Sequence, residues 1–232
     1  MRQINIQPIE KTNFNEDGNL DIHSIFRTIQ GEGPFTGQGA IFVRLAGCNL
    51  QCPQCDTEYT ERKNYSIYEA TMLIVKQRLH KMIDLVVITG GEPFRQNLIP
   101  LVNRLLEMGL TVQIETNGTL YQSLPFGHNR LVVVCSPKTG IVNKSLQPYI
   151  KAYKYVISAS DYDVNDGLPN HALGHACKRL ARPQDFTAPV YIQPADEKDS
   201  FKNADNLQIA IANAIKFGYI LCIQTHKIIG VE

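Results

Sequence analysis

Charge of either sign is not in excess in this chain: 23 Lys and Arg stand against 22 Asp and Glu over 232 residues, a net charge of +1. That balance removes the electrostatic footprint by which proteins hold nucleic acid or an anionic membrane, so neither is expected as a partner. No apolar run approaches the roughly 20 residues that a membrane-spanning helix needs. The polar opening stretch, MRQINIQPIEKTNFNEDGNL, lacks the apolar region of a signal peptide. These absences lead us to expect a cytoplasmic, reducing compartment. There the six cysteines stand free, metal-bound or catalytic rather than paired in disulfides. No repeat, low-complexity tract or linker is visible. Residues 1–232 therefore read as a single domain, with residues 1–20 as a polar lead-in. A hydrophobic content of 44% and a charged content of 19% suit a globular enzyme with a sizeable core.

What is present is an alternation of strand-like and helix-like segments. Strands are expected at Ala40–Ala46, Asp84–Thr89, Leu110–Glu115, Arg130–Cys135, Tyr153–Ser158, Pro189–Ile192 and Tyr219–Ile223. Helices are expected at Ser66–His80, Gln96–Met108, His171–Ala181 and Asn203–Phe217. Ser66 and Glu69 make a capping box for the first of these, and Gly109 is placed to end the second. About six β-then-α units of this length mean parallel strands with helices outside, either an abridged α/β barrel or an open doubly wound sheet. In both, ligands sit at the carboxyl ends of the strands.

The segment with the most chemistry is Cys48-Asn-Leu-Gln-Cys52-Pro-Gln-Cys55, directly after the Ala40–Ala46 strand. Thiolates suit iron–sulfur clusters and zinc. Structural zinc sites and ferredoxin-type clusters use four protein ligands, and here no fourth cysteine is near in sequence. Three thiolates on a four-iron cube leave one iron open to bind a ligand. A zinc knuckle completed by a distant His or Cys remains the alternative. Further polar motifs end later strands: Thr89-Gly90-Gly91-Glu92-Pro93, Glu115-Thr116-Asn117-Gly118, Ser136-Pro137-Lys138 and Gln193-Pro194-Ala195-Asp196. Paired glycines let backbone approach a ligand closely. Glu115 reads as a ribose or methionine contact, and the Ser136–Lys138 and Gln193–Asp196 segments as places for a ribose or carboxylate.

C-x3-C-x2-C after a strand resembles the radical S-adenosylmethionine (SAM) superfamily. Together, IFRTIQGEGPFTGQGAIFVRLAGCNLQCPQCDTEYT, TGGEP, ETNGT, SPK, YIQP and QTHK resemble the 7-carboxy-7-deazaguanine synthase family, from about Ile22 to Lys227. The resemblance implies a partial α/β barrel. It also implies conversion of 6-carboxy-5,6,7,8-tetrahydropterin to 7-carboxy-7-deazaguanine with loss of ammonia, on a queuosine-type 7-deazapurine route. It implies a 4Fe-4S cluster on Cys48, Cys52 and Cys55 that, once reduced, cleaves SAM to a 5′-deoxyadenosyl radical. That radical takes hydrogen from C6 of the pterin and is regenerated. It further implies Mg2+ on Thr57, an electron donor of the flavodoxin or ferredoxin kind, and a homodimer. Carried over residue by residue, substrate contacts fall on Ile29, Gln30, Gly31, Arg44, Thr89, Gln224 and His226. SAM contacts fall on Gly91, Glu92, Ser136, Pro137, Lys138 and Gln193–Asp196. Ala195 and Asp196 stand where family members commonly carry Met and Glu. Arg44 is chemically apt, since a guanidinium fork pairs bidentately with a carboxylate.

The runner-up is a glycyl-radical activating enzyme, which shares the cysteine loop and TGGEP but not QGEG or QTHK. A non-enzymatic zinc-stabilised binding module is the other alternative. His171, His175 and Cys177 are read as surface or core residues, because no HExxH carboxylate accompanies them.

Overall fold

The computed structural model describes residues 4–15, 18–79, 82–175, 177–184 and 187–231. In chain order its elements are β1 (Leu20–Ile29), β2 (Gly39–Leu45), β3 (Lys63–Tyr65), α1 (Ile67–Gln77), β4 (Leu85–Gly90), α2 (Ile99–Glu107), β5 (Thr111–Thr116), β6 (Leu131–Cys135), β7 (Ile150–Ile157), β8 (Val190–Pro194), α3 (Ser200–Phe217), β9 (Ile220–Leu221) and α4 (Thr225–Ile229). The strands form one sheet in the order β3-β1-β2-β4-β5-β6-β7-β8-β9. From β2 to β9 every pairing is parallel, while β1 runs antiparallel to both β2 and β3. β3 and β9 are the two edges, so the sheet is an open, partial α/β barrel.

Strand periodicity separates two faces. Ile41, Val43, Leu45, Val86, Ile88, Val112 and Ile114 point to one side and pack with Ile74 of α1 and Leu101 and Leu105 of α2 in the main core. The alternate residues Phe42, Arg44, Thr89, Glu115, Lys154 and Gln193 point to the other side, into a cavity. Polar residues at every second position of otherwise apolar strands therefore build the site.

The capping box forms as expected. The Ser66 hydroxyl accepts from the Glu69 N–H at 3.2 Å, and the Glu69 carboxylate accepts from the Ser66 N–H at 2.9 Å. His80 lies outside the described residues. α2 starts at Ile99 rather than Gln96, because the Gln96 side chain is engaged elsewhere: it accepts from the Asp21 N–H and donates to the Asp21 and Ala46 carbonyls. α3 begins earlier than expected, at Ser200, where Asp199 caps the free N–H groups of Phe201 and Lys202.

Three expectations are corrected. The helix expected at His171–Ala181 does not form. Its described residues make turns, with Leu173 at φ 51° and Gly174 at φ 73°, and the Leu173 carbonyl accepts from the Gln54 N–H. The succession of six β-then-α units is also incomplete. No described helix lies between β5 and β6, and only single 3-10 turns or loops join β6 to β7 and β7 to β8. There, loop residues cover the sheet through the stacked rings of Tyr121, Phe126 and Tyr149. Finally, two strands were not anticipated. β1 begins inside the polar stretch at Leu20, and β3 at Lys63 is held by pairing with it.

Candidate active site

The cavity, of about 520 Å3, opens at the carboxyl ends of the parallel strands. Cys48, Cys52, Cys55 and Thr57 reach its wall from the cysteine loop, and Ile29, Gln30 and Gly31 reach it from the end of β1. Arg44, Thr89, Gly91 and Glu115 come from β2, β4, the turn after β4, and β5. Ser136, Lys138, Gln193, Asp196, Gln224 and His226 complete the set expected on the wall. Glu92, Pro137, Pro194 and Ala195 are not on it. His23, Glu32, Asp56, Glu58, Tyr59 and Lys154 are further wall residues.

The three thiols do not all lie within 4.8 Å of one another; among the described residues only His23, Glu58 and Glu61 gather that tightly. Tetrahedral zinc, with Zn–S near ~2.3 Å, would draw its sulfurs to within about 4 Å of each other. Three thiolates on one loop suit a four-iron cluster with one iron left open. Cys135 is buried against Gly118, and the Cys222 sulfur accepts from the Gly33 N–H at 3.3 Å, so neither completes a zinc site. Burial pushes the Cys48 thiol up to about 12 and raises Cys52 and Cys55 as well. Lys138 faces Cys52 and Cys55 and partly offsets that cost. Burial, then the nearby Lys154 ammonium, lowers the pKa of Lys138 itself.

The glycine loop is pressed against the cysteine loop. The Gly91 N–H donates to the Leu45 carbonyl at 2.9 Å, and the Glu92 N–H donates to the Gly47 carbonyl at 3.0 Å. A Cβ on Gly91 would lie 1.9 Å from the Gly47 oxygen, so only glycine fits. Glu92 is buried beneath this contact. Its carboxylate accepts from the Phe94 N–H, the Thr116 hydroxyl and the Asn117 N–H, at 3.0, 2.7 and 2.8 Å. Burial raises its pKa against these bonds. Glu92 therefore ties the turn after β5 to the turn after β4 rather than facing the cavity.

An ionic network forms the floor. The Lys154 ammonium donates to Glu32 and to Glu115, the latter at 3.2 Å. Glu115 also accepts from Gln30 at 3.0 Å and Gln113 at 2.8 Å, and Glu32 accepts from Gln224 at 2.7 Å. Burial alone would depress Lys154, but the two carboxylates outweigh it and raise its pKa. Burial would likewise raise Glu32, yet Lys154 and Gln224 hold it below the usual carboxylate range. Reading the sequence missed Glu32 and Lys154. A lysine within the apolar strand YKYVI was the available signal, since lysine is almost never buried unpaired.

Beside the floor, Gly31 and His226 touch so closely that a Cβ on Gly31 would fall 1.9 Å from the His226 Nδ1. Burial lowers the His226 pKa, while Glu32 opposes. Arg44 lies over the Phe26 ring, 4.8 Å from its centroid. Asp196 is held below the usual range by its Lys198 hydrogen bond and also accepts from Asn203. The cavity thus combines three soft ligands with a guanidinium, two buried ammonium groups and fixed carboxylates. Such a wall can seat a cluster together with a zwitterionic cofactor and a carboxylated heterocycle.

Known proteins resemble this chain in sequence and in fold. Residues 43–125 match the model of the Radical SAM superfamily. The 7-carboxy-7-deazaguanine synthase of Rhodospirillum rubrum is 46% identical over 91% of this chain and 92% of its own length. That of Rickettsia prowazekii is 40% identical over 92% of this chain and 89% of its own. The crystal structure of QueE from Escherichia coli superposes with a TM-score of 0.67 at 25% identity, covering 89% of this chain and 94% of that one.

Proposed function

Because the chain belongs to the 7-carboxy-7-deazaguanine synthase family of radical SAM enzymes, we propose that it contracts the ring of 6-carboxy-5,6,7,8-tetrahydropterin to 7-carboxy-7-deazaguanine, releasing ammonia. The observation that carries this reading is that one cavity holds both the three-cysteine loop and Arg44 beside Thr89. A 4Fe-4S cluster and SAM, when bound, supply the radical that abstracts hydrogen from the pterin.

The rest follows from the chain's own residues. Cys48, Cys52 and Cys55 hold the cluster, and Lys138 lowers the cost of negative charge on Cys52 and Cys55. Gly91 allows backbone to approach the cofactor, and Ser136, Gln193 and Asp196 offer polar groups to it. Arg44 pairs with the substrate carboxylate. Glu115, clamped by three donors, presents a fixed carboxylate to the ribose or methionine part of SAM. Thr57 offers an oxygen to Mg2+, a hard cation that takes few protein ligands and fills its shell with substrate and water. A small electron-transfer protein delivers the electron to the cluster.

The test is anaerobic reconstitution followed by reaction with reductant, SAM, Mg2+ and the carboxytetrahydropterin. The carboxydeazaguanine is expected, with activity falling when Mg2+ is removed. SAM cleavage without pterin turnover would reject this substrate. Activity retained by Cys52→Ala would reject the radical mechanism.

A further inference from the structure

The polar stretch before β1 is not a passive lead-in. Residues 5–13 lie along the cysteine loop and bond to it through Asn5, Gln7 and Glu10. The Glu10 N–H donates to the Cys48 carbonyl at 2.7 Å, and the Asn5 N–H to the Pro53 carbonyl at 2.9 Å. The Asn5 amide reaches the Cys52 carbonyl at 3.1 Å. Gln7 is engaged at both ends of its amide: it donates to the Thr57 carbonyl at 2.9 Å and accepts from the Tyr59 N–H at 2.7 Å. Asn13 and Glu10 then continue to Arg95, joining this segment to the turn after β4. The pattern of exposure is inverted relative to an ordinary strand. Polar Asn5 and Gln7 face the loop, whereas Ile4, Ile6 and Ile9 are 70%, 83% and 63% exposed.

The bonded carbonyls belong to two cluster-binding cysteines, to Pro53 between the second and third, and to Thr57, two beyond the third. The three irons held by thiolates are released by moving those ligands apart, and this segment resists that motion. We propose that residues 5–13 are a retaining strap for the iron–sulfur cluster, with Asn5 and Gln7 as positioning residues that set how slowly iron leaves. The proposal rests on the reading that Cys48, Cys52 and Cys55 hold such a cluster.

The test measures anaerobic release of iron from the reconstituted full chain to a ferrous chelator, alongside the thermal unfolding midpoint. Gln7→Ala removes two hydrogen bonds, each worth roughly a factor of five in loop opening, so release is expected to quicken about 25-fold. Asn5→Ala is expected to quicken it roughly fivefold. Ile6→Ser, on the outward side of the same segment, keeps the wild-type rate. The unfolding midpoint of the cluster-free chain falls by no more than about 4–8 °C in Gln7→Ala and about 2–4 °C in Asn5→Ala, the shift expected of roughly 1 kcal/mol per lost bond, and is unchanged in Ile6→Ser. A Gln7→Ala chain that cannot be loaded while Ile6→Ser can is the limiting case of the expected result. Equal release rates in Gln7→Ala and wild type would overturn the proposal, as would equal acceleration by Ile6→Ser. A wild-type chain that takes up no iron would instead overturn the proposed function, and this inference with it.

Discussion

Replacing Lys154 by methionine keeps the length and packing of the side chain but removes its charge from the cavity floor. In the native protein the ammonium is buried between Glu32 and Glu115, whose side chains are each only 16% exposed. Without it, Glu32 keeps one donor, Gln224, and Glu115 keeps two, Gln30 and Gln113. Each carboxylate loses one charge-assisted hydrogen bond, worth about 1.5–3 kcal/mol. Two like charges are also left facing each other in a poorly solvated place. The combined loss should be roughly 3–5 kcal/mol, the range found when one partner of a buried ion pair is deleted. The pH dependence gives a sharper check. Glu32 is depressed in the native protein, so its contribution is present above its unfolded pKa and fades as pH falls below it. In the variant the repelling carboxylates are raised instead, and protonation relieves them. Relief of that repulsion shrinks the difference between variant and wild type as pH drops from 7.5 toward about 4.5, and the loss of the native Glu32 contribution shrinks it further below about 4.5. Denaturant unfolding of the cluster-free protein at several pH values measures this directly. A deficit under about 1 kcal/mol at neutral pH, or one that grows on acidification, would refute the electrostatic account of the floor.

Three further outcomes follow from the same geometry. Gly91→Ala should separate the cysteine and glycine loops, costing both backbone hydrogen bonds at their contact and roughly 3 kcal/mol or more; iron content and unfolding midpoint should fall together. Gly31→Ala should push His226 and the C-terminal segment off the floor. The pterin KM is then expected to rise by about tenfold or more, while SAM cleavage without pterin continues; an unchanged KM would show that this contact does not shape the substrate site. The raised thiol pKa values favour the protonated, folded form below the unfolded cysteine value. Stability of the cluster-free chain should therefore decline as pH climbs above about 9, while the loaded chain, whose cysteines are already thiolates, should show no such decline. Parallel alkaline unfolding of the two forms would reveal it.

The sequence made the parallel strands legible because runs such as Leu85–Thr89 and Leu131–Cys135 are buried on both faces and carry little polar interruption. The capping box at Ser66 and the cysteine loop were equally plain, since each signal sits within a few residues. What escaped reading depends on partners far along the chain. β1 is a strand because β2 pairs with it, although its own residues alternate poorly. The segment from His171 has helix-like spacing, but Leu173 and Gly174 adopt left-handed backbone where Leu173 meets the cysteine loop at Gln54. Glu92 sits where a cofactor contact was expected, yet burial among Phe94, Thr116 and Asn117 uses its oxygens internally. Lys154 became meaningful only once folding set Glu32 and Glu115 on either side of it.

The contact between Gly31 and His226 also bears on the order in which the protein is made. The strap and the cysteine loop, within residues 5–59, leave the ribosome early and share several hydrogen bonds. The floor beneath the substrate waits for Gln224 and His226, which meet Glu32 and Gly31 across almost the entire chain. Such distant contacts close late, after the loop-closure cost has been met. During synthesis, then, the cysteine-loop wall of the cavity is expected to assemble before the floor around Glu32 closes. A ribosome-bound chain halted before residue 224 would present the cysteine loop in its strap but no complete substrate site.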